Sequence, residues 1–503
     1  MESIVNRRNL LASAGILATG TMAARYGFAQ MSSMPGMQHG GAVPPKTVIQ
    51  PIEGQPLPML KEVGTGANGE LVAELRASPA SAEIVRGMKT PILAYNGMSP
   101  GPCFVAREGD LVRITLVNAI PGQESTIHWH GMPVPAEQDG NPMNPVTSGE
   151  RRTYEFRLPE GSAGSYWYHP HPHKFTAEQV YRGLAGAFIV KPRGEDPVPA
   201  AFGDTSLFFT DMRLASDATM PASTPVDLMN GRQGDFVLVN GAYKPELSLE
   251  AGTRRRFRLY NALNAGYLRI SFGGIKFALI GSDGGLLEAP VADMTEVLLA
   301  PAERAEVLVP FDGSQRSVTV QSLTYDRGWM GPGAPSAAAV DLMTISVTGS
   351  AAASIPPLPS KLRAIADLGA STITKRFVFG ETIKMGGPGG MSMTFLINGK
   401  VFEPGRIDET MKVGQPEIWE IVNPTDMDHP FHIHGTQFQV IDTEKSGTRV
   451  AAPFKAWKDT VNVASKETVR IKIVQDMPGD RMYHCHILEH EHLGMMGTLR
   501  AGA

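Results

Sequence analysis

Three stretches of the 503-residue chain repeat one another. Asn96-Gly97, Asn240-Gly241 and Asn398-Gly399 sit in AYNGMSPGP, LVNGAYKPEL and LINGKVFEP. Each is followed by a strand-like run ending in asparagine, at Asn118, Asn261 and Asn423, which lie 22, 21 and 25 residues downstream. Each unit closes on a comparable strand: GLAGAFIV, VDLMTISV or GMMGTLRA. A period held three times across the chain means three homologous domains. Short alternating or β-branched runs broken by Gly and Pro, with few helical patterns, make each one an all-β sandwich or barrel. The proline-rich connectors KPRGEDPVPA and SIPPLPSK mark the cuts, giving domains over 45–195, 196–352 and 362–503.

The N-terminus reads as an export signal. Paired Arg7 and Arg8 precede a mildly apolar stretch and a small-x-small site at Gly27-Phe28-Ala29, which resembles the twin-arginine type. Residues 1–29 would be removed, leaving a soluble periplasmic protein that starts near Gln30 and reached its destination through the twin-arginine machinery. No later stretch is long enough to span a membrane. A formal net charge of −4 gives no pull toward nucleic acid or anionic membrane. The Arg254-Arg255-Arg256 run is read as a solvated strand face. With only Cys103 and Cys485 present, no disulfide framework is expected despite the oxidising compartment. Cys103, in GPCFVAREGD, is expected to be a buried, inert thiol.

The histidines are distributed unevenly. None of the 13 lies between Lys174 and Asp428, so the middle domain contributes no imidazole. Four clusters hold most of them: HWHG (His128, His130), YHPH (His169, His171), HPFHIHG (His429, His432, His434) and HCHILEH (His484, His486, His490). On a strand, i and i+2 share a face, so every HxH presents two imidazoles side by side. Overlaying the first and third repeats sets HWHG on HIHG and YHPH on YHCH. Eight imidazoles from two facing domains are a ligand set for several metal ions. His39, His173 and His492 fall outside this pattern and are read as non-ligands.

Cys485 stands between His484 and His486, with His490 and Met495 at successive five-residue steps. Together with His429 these make a Cys-His-His-Met set, and trigonal His₂Cys with a weak axial Met is the blue electron-transfer copper geometry. Zinc would not need the Met, and iron–sulfur clusters would need more cysteines. His484 and His486 point to the opposite pleat face from Cys485, so the thiolate would link the blue site to a neighbouring cluster by two short covalent paths.

On these residues the chain resembles the three-domain multicopper oxidases, the family of laccases, bacterial cuprous oxidases and bilirubin oxidases. The resemblance implies three cupredoxin-like Greek-key domains and four copper ions. It places a type 1 copper on His429, Cys485, His490 and Met495, and a type 2 copper on His128 and His432. It places one type 3 copper on His130, His169 and His486, and the other on His171, His434 and His484. It further implies that a reductant gives up electrons singly at the type 1 copper and that dioxygen becomes water at the other three. Asp139 and Glu491 occupy positions that supply protons in relatives. A monomer is expected.

The reductant is open between cuprous ion and phenolic or aromatic compounds. Methionines cluster at Met31, Met34 and Met37 and again at Met385, Met391 and Met393, and thioethers suit Cu(I). The second cluster stands where cuprous oxidases carry a much longer Met- and His-rich insert. Asp426, Met427 and Asp428, just before His429, are candidates to touch the reductant. Three other readings share the fold: a copper nitrite reductase, a periplasmic copper-binding or tolerance protein, and a division-associated scaffold. The first would not need all four HxH pairs, and the other two would be expected to have lost ligands.

Overall fold

The computed structural model describes residues 49–331, 334, 338–352, 354–385 and 391–502. The export signal, the Met31–Met37 cluster and the glycine-rich connection at 386–390 lie outside the described residues. Six β-sheets pair into three all-β units of the cupredoxin kind. The first has sheets of five and four strands, the second of seven and five, and the third of six and five. Each unit encloses its own apolar core, centred on Trp129 and Tyr154, on Phe257 and Phe272, and on Trp419 and Phe431. Among the described residues no helix is long and apolar enough to cross a membrane.

The threefold repeat has a physical cause. Asn96, Asn240 and Asn398 adopt φ of 54°, 52° and 53°, and the following glycines 76°, 84° and 73°. Both central residues of a type I′ turn need positive φ, which Asn-Gly tolerates best. Each Asn side chain also ties the turn to the neighbouring strand. Its carbonyl oxygen accepts from Arg76, Phe208 or Val378 N–H, and its amide donates to the Glu74, Ser206 or Arg376 carbonyl, all at 2.7–3.0 Å. The later asparagines end a strand by bridging two loops. Asn118 donates to the Gln123 and Val146 carbonyls, Asn261 to Gly266 and Leu299, and Asn423 to Met427 and Val463. The third of these bridges fixes the loop that delivers His429.

The arginine run differs from expectation. Arg256 is buried rather than solvated, because its strand pairs at the centre of the seven-stranded sheet. Its guanidinium bonds Glu306 at 2.5 Å and Asp196 at 2.7 Å. Such a charge is tolerated in the interior only when paired. Cys103 packs with Trp167, Phe208 and Tyr260 at the seam of the first two units, and burial pushes its thiol up to about 12. Cys103→Ser is therefore expected to leave colour and copper content unchanged. A loss of bound copper, measured by atomic absorption, would overturn that reading.

Candidate metal centre

The four HxH segments lie on two pairs of adjacent antiparallel strands. His128–His130 pairs with Gly164–His169, matching His128 to His169. His429–Ile433 pairs with Gly479–Cys485, matching His432 to His484. The two strand pairs face each other across the boundary between the first and third units, and all eight imidazoles are completely buried. His128 stacks on His434 at 3.7 Å between centroids and His130 on His432 at 3.8 Å.

Hydrogen bonding fixes the ring orientations. His128, His432, His484 and His169 each donate Nδ1–H to a backbone carbonyl, of Asp139, Asp459, Cys485 and Pro170, at 2.9–3.0 Å. His434 donates Nδ1–H to Asp139 Oδ2 at 2.9 Å. The Nε2 atoms therefore carry bare lone pairs, yet they converge. His128 and His432 Nε2 are 3.4 Å apart, and His434 and His484 Nε2 are 3.1 Å apart. His171 Nε2 is 3.2 Å from His484 Nε2, and His130 Nδ1 is 3.4 Å from His169 Nε2. Two lone pairs this close repel unless a cation lies between them. Tetrahedral ligands at about 2.0–2.1 Å from a metal stand about 3.3–3.4 Å apart. His486 has neither ring nitrogen hydrogen-bonded although it is buried, an expensive state that metal ligation relieves. Among the described residues, the imidazole groups that could hold an ion are His128/His130/His432, His130/His169/His486 and His171/His434/His484, and His128, Asp139 and His434 also stand close enough to one another.

A separate group comprises His429 Nδ1, His490 Nδ1 and Cys485 Sγ, with separations of 3.2, 3.5 and 3.9 Å. Three donors in a plane around a metal at about 2.0–2.3 Å would stand about 3.5–3.8 Å apart. The Ile487 N–H points at Cys485 Sγ at 3.4 Å, a donor suited to a thiolate. Met495 lies in the same core cluster as Cys485, whereas Met496, on the other strand face, packs with Phe402 and Met482. The outer nitrogens of the two histidines are engaged: His429 Nε2 with Thr425 Oγ1 at 3.0 Å, His490 Nε2 with the Met229 carbonyl of the middle unit at 3.2 Å. Phe395 stacks on His490 at 3.8 Å.

Burial, then neighbouring charges, lowers these imidazoles. His429 and His484 fall to about 3, and His130, His169, His171, His432, His434, His486 and His490 also move well below the ordinary imidazole value. All nine are neutral and able to ligate. Glu491 is buried 3.4 Å from His484 Nδ1 and 3.7 Å from His171 Nε2, and burial pushes its carboxyl up to about 8. Asp139 touches the outer edges of His128 and His434 and so orients them from behind.

The structure separates the substrate candidates. Asp428 and Met427 are not at an accessible surface. Asp428 is buried and accepts from Tyr325 Oη, Asn462 Nδ2 and the Ser465 N–H, and Met427 is in the core. Asp426 is exposed and paired with Lys466 at 2.8 Å. The backbones of Met385 and Met391 oppose each other across a hairpin, and Met393 packs half-buried on the third core. His173 and His492 join neither group. The sequence reading missed Asp459, which meets His130 Nε2 at 3.0 Å, and the middle unit's Met229, Arg327 and Met330 beside the Cys-His-His group. The middle unit carries no imidazole, so nothing in its sequence signalled a role.

Three family models described as multicopper oxidase match residues 77–195, 210–325 and 380–502. A multicopper oxidase of Staphylococcus haemolyticus is 32% identical over 88% of this chain and 91% of that protein. A laccase of Bacillus subtilis is 29% identical over 81% and 89%. A solved structure described as a multicopper oxidase from Campylobacter jejuni, a metallo-oxidase, superposes with a TM-score of 0.84 at 38% identity, covering 91% of this chain and 98% of that one. With its buried imidazole and thiol groups matched to this kinship, the chain belongs to the multicopper oxidase family.

Proposed function

We propose that the chain is a periplasmic, four-copper oxidase that couples oxidation of cuprous ion to reduction of dioxygen to water. One observation carries it: three enclosed imidazole groups adjoin a Cys-His-His group, and His484 and His486 of the former flank Cys485 of the latter in the chain. Copper, when bound, supplies the one-electron redox chemistry. His429, Cys485, His490 and Met495 would hold the type 1 ion, His128 and His432 the type 2 ion. His130, His169 and His486, with His171, His434 and His484, would hold the type 3 pair. The chain's own part is to orient these ligands and move protons. Burial raises the Glu491 carboxyl, which stands beside His171 and His484, so it can give a proton to whatever is reduced there. Asp139 holds His128 and His434 in register. Complete ligation favours this oxidase over a storage protein or a division-associated scaffold. Arg7 and Arg8 with the apolar stretch behind them support export.

The preference for cuprous ion rests on the surroundings of the type 1 group. Both its histidines are wholly buried. Thioethers stand nearby: Met229 holds His490 through its carbonyl, with its Sδ close to the backbone at Gly331. Asn230 bonds the Met330 backbone at 2.7 and 3.0 Å, and Met330 and Met393 pack on the core that contains Cys485. Soft sulfur ligands select Cu(I), and the Campylobacter neighbour's description as a metallo-oxidase agrees. Replacing Met229, Met330 and Met393 together by Leu keeps the volume and removes the sulfur. Cuprous oxidation should then fall about tenfold or more while oxidation of dimethoxyphenol persists, as followed by oxygen uptake. Unchanged cuprous turnover would favour the laccase reading that the Bacillus relative's name suggests.

A further inference from the structure

The two stacked imidazole pairs are clasped by two aspartates in the same manner. At the His128–His434 stack, the Asp139 carbonyl accepts from His128 Nδ1 at 3.0 Å and its carboxylate from His434 Nδ1 at 2.9 Å. At the His130–His432 stack, the Asp459 carbonyl accepts from His432 Nδ1 at 2.9 Å and its carboxylate from His130 Nε2 at 3.0 Å. Each aspartate therefore binds one ring of the first unit and one of the third. The difference lies behind them. The second carboxylate oxygen of Asp139 takes no hydrogen bond, whereas both oxygens of Asp459 are gripped by Arg304 of the middle unit, at 2.8 and 2.6 Å.

Arg304 is completely buried and satisfies all five of its N–H donors. Besides the two bonds to Asp459, it donates to the carbonyls of Ser165 in the first unit and of Ala302 and Asp283 in its own, at 2.9–3.1 Å. One guanidinium therefore touches all three units, and only its planar fork fits this arrangement. Gly131, which closes the HWHG motif, makes room for the clasp. With φ of +81°, a Cβ there would lie 2.1 Å from Asp459 Oδ2 and 2.7 Å from Arg304 Nη2.

We propose that Arg304 and Asp459 are positioning residues of the copper cluster, through which the ligand-free middle domain fixes the nitrogen that His130 turns toward metal. This rests on the reading of the eight imidazoles as a copper site. A carboxylate only accepts, so it binds His130 Nε2–H and leaves the Nδ1 lone pair facing His169. An asparagine amide can instead donate to Nε2, which moves the proton to Nδ1 and blocks it. Outer partners of this kind typically govern metal affinity by about 10- to 100-fold.

The test uses copper-loaded Asp459→Asn and Arg304→Lys beside the wild type, with copper per chain, the type 2 electron paramagnetic resonance signal and the blue band measured together. None of His429, Cys485 and His490 is hydrogen-bonded to Asp459, so the blue band reports that the protein has folded. The expected result is a blue protein with cluster copper affinity lowered about 10- to 100-fold and an altered type 2 signal. If either substitution leaves no folded protein, Gly131→Ala disturbs the same clasp with both charges present and is judged by the same readings. A blue variant with full copper and an unchanged signal overturns the assignment. A wild type that binds no cluster copper overturns the proposed function, and this assignment with it.

Discussion

Cys485→Ser is expected to give a colourless protein with turnover at background. The blue absorption of a type 1 site comes from its copper–thiolate bond, and Cys485 is the only thiol within reach of His429 and His490, at 3.5 and 3.9 Å. The same residue joins the two centres, because His484 and His486 are its chain neighbours and each belongs to a cluster group. Removing the sulfur thus removes both the acceptor and the shortest route onward. The eight cluster imidazoles are untouched, so copper loss should be confined to about one ion of the four. Absorption near the blue maximum, copper per chain and oxygen uptake check the three parts separately. A blue or active variant would refute the assignment of Cys485 to the metal.

How much of this could be read from sequence depended on whether the signal was local or repeated. The Asn-Gly turns and strand-ending asparagines are short-range devices that recur, and the structure gives each the same hydrogen bonds in all three units. The HxH pairs were equally plain, since strand alternation alone sets both rings on one face. Contacts between units left no such trace. Asp459 lies 329 residues from His130 and 155 from Arg304, too far for any short motif to join them. The middle unit looked idle because it lacks histidine, yet its Met229 carbonyl meets His490 and its Arg304 grips Asp459. Asp428 shows the opposite failure. Its nearness to His429 in sequence promised a place at the surface, but Tyr325, Asn462 and Ser465 hold it inside.

Copper-free protein is expected to unfold abruptly in mild acid. Burial holds nine imidazoles below their ordinary value of about 6.5 in the folded state, with His429 and His484 at about 3. Between those limits the unfolded chain binds protons that the folded one refuses, so stability rises with pH and drains away as pH falls below about 6.5. Buried acids act in the other direction: burial raises Asp211 to about 6 and moves Glu303 and Asp459 the same way. Glu489 and Glu491 are pushed up by burial to about 7 and about 8, so stability falls as pH climbs through that range. The histidines outnumber these acids and so control the acid side. Each contributes about 1.4 kcal/mol per pH unit, so several together make the slope steep. A domain's whole stability is about 5–15 kcal/mol, so one to two units below 6.5 suffice to exhaust it. Acid titration by circular dichroism should give a steep midpoint between about pH 5 and 6 for the apoprotein. Copper competes with protons for the same nitrogens, so loading should move the midpoint to lower pH. An apoprotein still folded at about pH 4 would show that these rings already carry protons in the fold, and that they do not stand as bare ligands awaiting metal.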